Sequence, residues 1–174
     1  MAKFDKFQVM AKIAEAPMVP VFYNKDVEVC KNVIKACYEG GVRAFEFTNR
    51  GDFAHEVFGE LSKWVLTACP ELALGIGSVV DAPTASLYIQ LGANFVVGPN
   101  LIKGLMAPMP WSKIMVTGGV APEEENLTKW FKAGVFCVGM GSKLFPSDKV
   151  KAGDWQYVTD KCREALGYCA KARA

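Results

Sequence analysis

A single carboxylate, Glu46, stands between Phe45 and Phe47 in the apolar run from Ala44 to Thr48. If that run is a strand, alternation turns Glu46 to the side opposite both phenylalanines. A carboxylate pointing into an apolar interior is partly desolvated, which raises its pKa and suits it to proton transfer. The same spacing also fits a structural carboxylate paired with Arg43 or Arg50. Arg50, just past the run, carries the planar fork that holds a carboxylate or a phosphate, and it also fits a merely solvated loop arginine. Farther along, Thr117-Gly118-Gly119 and Gly139-Met140-Gly141-Ser142 follow two more apolar runs. Each glycine motif alone is an ordinary turn. The two together, at the ends of successive strands, offer exposed N–H groups to an anionic or phosphorylated ligand. Ser78 after Gly75-Ile76-Gly77, and Pro99 after Phe95-Val96-Val97-Gly98, occupy equivalent strand-end positions.

The elements that must hold these residues follow from the alternation of short apolar runs with helical patterns. Strands are predicted over 18–23, 44–48, 73–79, 95–99, 113–117 and 135–139. An amphipathic N-terminal helix over 1–15, with Phe4, Phe7, Met10 and Ile13 on one side, caps the domain. Val27, Cys30, Ile34 and Cys37 recur at helical spacing before the stop signal Gly40-Gly41. Pro122 opens a later helix with Glu123, Glu124 and Glu125 in its positive first turn and Leu127, Trp130 and Phe131 on its buried face. Repeated βα units imply a parallel sheet covered by helices, either an open doubly wound sheet or a closed barrel. Tyr23-Asn24-Lys25-Asp26 stands where a dinucleotide-binding fold would place its glycine fingerprint, which favours the barrel. A TIM-type (β/α)₈ barrel needs eight βα units, and only six are present here.

Composition narrows the class. A chain of 174 residues, 51% apolar, suits one domain over 1–174. Twenty basic against 18 acidic residues, scattered for a net +2, advertise neither a nucleic-acid surface nor a polybasic membrane patch. Neither a spanning apolar run nor a signal-peptide core is present, so a cytoplasmic protein is expected. The six cysteines form no CxxC pair and read as buried free thiols in a reducing compartment. His55, the only histidine, has no histidine partner, so a histidine-based metal site is not expected.

Val19-Pro20-Val21, Phe45 to Arg50, Gly75 to Val79, Gly92-Ala93 with Phe95 to Pro99, Val116 to Val120 and Cys137 to Ser142 resemble, in order, the signatures of a known family. These are the class I aldolases of 2-keto-3-deoxy-6-phosphogluconate (KDPG) and 4-hydroxy-2-oxoglutarate (KHG). The resemblance implies a (β/α)₈ barrel, commonly a homotrimer, that cleaves a small-molecule 2-keto acid to pyruvate and an aldehyde without a cofactor. By resemblance, Glu46 is the general acid/base and Arg50 the ligand of the keto-acid carboxylate. Ser78, Pro99 and Thr117 contact substrate, and Gly118, Gly119, Gly141 and Ser142 form the phosphate or distal-carboxylate pocket.

The family's nucleophile is a lysine on the sixth strand in a Lys-x-Phe-Pro setting, whose iminium is the electron sink for C–C cleavage. No such motif occurs in these 174 residues. Asn100-Leu101-Ile102-Lys103 resembles the helix after the sixth strand, so the fifth strand, its helix and the sixth strand are expected to be missing between 99 and 100. The Cα separation there distinguishes a true deletion from a joined numbering. Other lysines are poor substitutes: Lys113 starts its strand, Lys103 belongs to an outer helix, Lys143 lies beyond the last strand-end loop, and Lys25 is exposed. Two further readings stay open: another phosphate-binding barrel lyase or isomerase, and an inactive truncated barrel that binds anions or oligomerises.

Overall fold

The computed structural model describes residues 2–98 and 113–173. The N-terminal helix α1 (Lys6–Glu15) leads into β1 (Met18–Phe22), α2 (Val27–Glu39), β2 (Ala44–Thr48), α3 (Ala54–Ala68), β3 (Ala73–Gly77) and α4 (Ala82–Gln90). After the undescribed stretch come β4 (Met115–Val116), α5 (Glu124–Lys132), β5 (Cys137–Met140), α6 (Ser147–Lys151) and α7 (Trp155–Arg173). Helix starts are set by aspartates. The Asp5 carboxylate accepts from the N–H groups of Phe7 and Gln8 while Gln8 reaches back to the Asp5 N–H, a reciprocal cap. Asp26 and Asp81 cap α2 and α4 in the same sense.

All strand pairs are parallel, in the order β3-β2-β1-β5-β4. Val96 bridges Ile76 in parallel and adds a sixth extended segment outside β3. Six segments are therefore present, as counted from the sequence, but among the described residues the sheet is open rather than closed into a barrel. The expected fourth strand, 95–99, is represented by that bridge alone; Pro99 and the 99–100 junction lie outside the described residues, as does Lys103.

Strand alternation divides the apolar residues between two cores. Phe45, Phe47, Leu74, Ile76, Val138 and Met140 face outward and pack under Ile34 and Cys37 of α2, Phe58 and Leu61 of α3, Leu127 of α5 and Val158 of α7. Val19, Ala44, Ala73 and Cys137 face inward, where Val9 and Ile13 of α1 plug the N-terminal end of the sheet. The buried stripe of α1 is thus Val9 and Ile13. Phe7, expected on that stripe, is 73% exposed, because the Asp5 cap starts the helix later than expected and sets its rotation. Trp130 is half-buried where full burial was expected; Leu127 and Phe131 carry that face of α5. All six cysteines are buried and free, and burial pushes the Cys30 and Cys137 thiols up to about 12.

Candidate active site

Glu46 projects inward from the centre of β2, on the same face as Ala44 and Thr48. It is 4% exposed, and its Oε2 has no hydrogen-bond partner among the described residues. Burial raises its pKa to about 7 even though the nearby Arg50 charge pulls it down. Gly77 on the neighbouring strand makes room for this side chain, since a Cβ there would collide with the Glu46 carboxylate. The Arg43 pairing left open by spacing does not form: the Arg43 guanidinium donates to the carbonyls of Tyr38 and Val42 at 3.2 and 2.9 Å.

Arg50 is exposed, yet it is held. Its Nε donates to Ser78 Oγ at 3.0 Å, across from β2 to the end of β3. Ser78 adopts a left-handed backbone, φ 60°, which ends β3 at Gly77, two residues short of the expected boundary, and swings the hydroxyl toward Arg50. A non-glycine residue in that region costs on the order of 1 kcal/mol or more, and such strain concentrates at functional sites. Between Glu46 and Arg50, Thr48 is 1% exposed and its Oγ1 also lacks a partner among the described residues. Asn49 Oδ1 accepts from the buried Tyr88 hydroxyl at 2.8 Å, and the Asn49 N–H donates to Gly77 O at 2.9 Å, so this strand end is fastened on both sides of Arg50's root.

Two adjoining cavities open at this end. The larger, about 480 Å³, is lined by Arg50, Thr117, Gly118, Gly119, Gly141, Ser142 and Lys143, among others. The smaller, about 250 Å³, is lined by Tyr23, Thr48, Phe145 and again Arg50, Gly141 and Ser142. The structure therefore brings together Arg50, Thr117, Gly118, Gly119, Gly141 and Ser142. Ser78 reaches the cavity through Arg50, and Glu46 lines neither cavity, lying deeper along the face on which Thr48 stands. Gly118 and Gly119 both have left-handed backbones, φ 81° and 71°. Neither donates its N–H to another backbone group among the described residues. Asn126 of α5 braces their loop: its Oδ1 accepts from the Ala121 N–H at 3.0 Å and its Nδ2 donates to Gly119 O at 3.1 Å. No cluster able to hold a metal occurs among the described residues.

Sequence reasoning missed three contributors. Asn126 and Tyr23 carry no motif of their own, and Lys143, expected beyond the strand-end loop, lines the larger cavity. Its position after Ser142, on the same loop as the predicted anion cradle, was the available signal.

The family model for KDPG and KHG aldolase matches residues 9–107. The chain belongs to that family. Among relatives of the KDPG and KHG aldolase family, a 2-dehydro-3-deoxy-phosphogluconate aldolase of Pseudoalteromonas atlantica is 26% identical over 220 residues, covering 98% of this chain and 99% of the relative. A KHG/KDPG aldolase of Escherichia coli is 26% identical over 203 residues, covering 88% and 92%. A crystal structure of a Legionella pneumophila KDPG aldolase, with pyruvate captured as a covalent carbinolamine intermediate, shares the fold. Its TM-score is 0.62 at 19% identity over 88% of this chain and 96% of that one. The Pseudoalteromonas alignment spans 220 positions against 174 residues in this whole chain, so that relative carries residues with no counterpart here.

Proposed function

We propose that the protein is a class I aldolase that cleaves KDPG, KHG or both to pyruvate and an aldehyde, with these residues supplying substrate binding and proton transfer. The observation that carries this reading is Glu46: a buried carboxylate with an oxygen unpartnered among the described residues and a pKa near 7, set beneath a mouth lined by cations and glycines in a chain of this family. At neutral pH it is divided between its two protonation states, as proton transfer to and from the substrate carbons requires. Arg50, steadied by Ser78, holds the keto-acid carboxylate, and Thr117 contacts the substrate beside it. Gly118, Gly119, Gly141 and Ser142 hold the distal phosphate or carboxylate. Pro99 is proposed as a substrate contact from the resemblance alone.

The covalent step needs a lysine amine, which adds to the substrate ketone, loses water and takes up the electron pair of the breaking C–C bond as an iminium. No Lys-x-Phe-Pro is present, and we assign that lysine to the segment expected between 99 and 100, which the longer relatives are proposed to carry. The test is pyruvate with borohydride, read by intact-protein mass. The 174-residue chain should yield no adduct, and the same chain with the relative's segment inserted between Pro99 and Asn100 should be trapped on its new lysine. An untrapped inserted chain that still folds overturns the Schiff-base reading. We also propose, from the family, a homotrimer in the cytoplasm; sedimentation of a stable monomer overturns the trimer. Among the described residues no helix is long and apolar enough to cross a membrane.

A further inference from the structure

Lys143 has no part in the functional reading above, yet it shares the larger mouth cavity with Arg50 and the Gly118-Gly119 loop. It is exposed, and no carboxylate pairs with it among the described residues, although seven other cations of the chain are so paired. Among the described residues no acidic side chain lines this cavity, and its lining joins the two cations to two left-handed glycines whose N–H groups donate to no other backbone group. Arg50 is committed through its Nε to Ser78, which fixes the direction of its remaining donors. A lysine ammonium is a compact charge on a flexible stem, and it follows an anion rather than dictating its geometry.

We propose that Lys143 is a specificity-determining residue that supplies the positive charge of the distal subsite, Arg50 being taken up by the keto-acid carboxylate, and selects a dianionic phosphate monoester over a monoanionic carboxylate. The reason is charge count. A phosphate monoester carries between −1.5 and −2 at neutral pH, by the general rule for its second pKa of about 6, and a carboxylate carries −1. A cation beside the glycine cradle therefore stabilises the phosphate to a greater extent. This rests on the aldolase reading of the site and deepens it: of the two substrates, the phosphorylated acid is the one the cavity fits.

The test uses the 174-residue chain with inorganic phosphate and with acetate as probes, by calorimetric titration of wild type, Lys143→Gln and Lys143→Arg. Lys143→Gln should weaken phosphate binding by about five-fold, the scale of one exposed charge interaction, and acetate binding by a smaller factor. The wild-type to variant ratio should grow as rising pH converts inorganic phosphate from its monoanion to its dianion, a dependence that loss of packing alone would not produce. Lys143→Arg should retain phosphate binding. Equal phosphate affinity in wild type and Lys143→Gln, a ratio independent of pH, or no phosphate binding by wild type overturns the proposal. Borohydride trapping of pyruvate involves no phosphate, so the aldolase reading and this one fail separately.

Discussion

Glu46 shows how one side chain couples stability to chemistry. Its folded pKa, about 7, lies above the ordinary value of 4.5, so the folded protein binds this proton more tightly than the unfolded chain. The stability that this contributes is fully present below the unfolded pKa and is lost as pH rises through about 7. A shift of that size corresponds to roughly 3 kcal/mol between about pH 4 and pH 8. Glu46→Gln removes the titration. Urea unfolding should therefore show the variant gaining on wild type by most of that amount across the interval, and a constant difference would mean that the carboxylate titrates normally. In the segment-inserted chain, where the iminium can form, the same variant should abolish exchange of the pyruvate methyl protons. Gly77→Ala offers an independent check, because its methyl group displaces the Glu46 carboxylate without touching the charge. It should slow exchange while leaving phosphate binding in the mouth cavity intact. The inward direction of Glu46 was legible in the sequence because alternation decides it. The grip of Ser78 on Arg50 was not, since it depends on a left-handed backbone that serine rarely adopts.

At the scale of elements, the agreement follows how strongly each boundary is enforced. β2 keeps both expected ends, because every residue from Ala44 to Thr48 is buried and each pairs in register with β3. β4 shrinks from the expected 113–117 to two residues, and the last strand moves from 135–139 to Cys137–Met140; each has fewer paired residues than β2 to hold its register. The loop between β4 and α5 owes its shape to a residue that periodicity cannot reveal. Asn126 satisfies both Ala121 N–H and Gly119 O, tying the glycine loop to the start of α5. Asn126→Leu leaves those two groups to water, which should cost about 1 kcal/mol. Thermal unfolding should record the loss, and phosphate affinity should fall because the Gly118-Gly119 loop that lines the cavity loses its brace. Unchanged affinity in a folded variant would show that the loop keeps its shape without the brace.

At the scale of the whole molecule, the sheet ends on one side at Val96 and on the other at β4, and two βα units of the expected barrel are unaccounted for among the described residues. Exposure of large apolar side chains falls unevenly. Val80, Leu87, Ile89 and Val96 are 64%, 42%, 51% and 38% exposed, and all four belong to the β3-α4-Val96 unit that forms one of those ends. A parallel βα unit is ordinarily covered by the next unit in the series, since right-handed crossovers lay each helix over its neighbours. Apolar surface left in water at this edge forfeits the stabilisation of burial, about 25 cal/mol per Å², and unpaired strand edges invite association. If the missing segment is what this edge is built to receive, inserting the Pseudoalteromonas relative's segment between Pro99 and Asn100 should raise the melting temperature and lower binding of a hydrophobic dye. The gain should disappear when Leu87 and Ile89 are changed together to lysine in the inserted chain, while those substitutions should cost the 174-residue chain little. A melting temperature unmoved by the insertion, with dye binding unchanged, would mean that the six-segment sheet is a finished fold and that its exposed edge has another use.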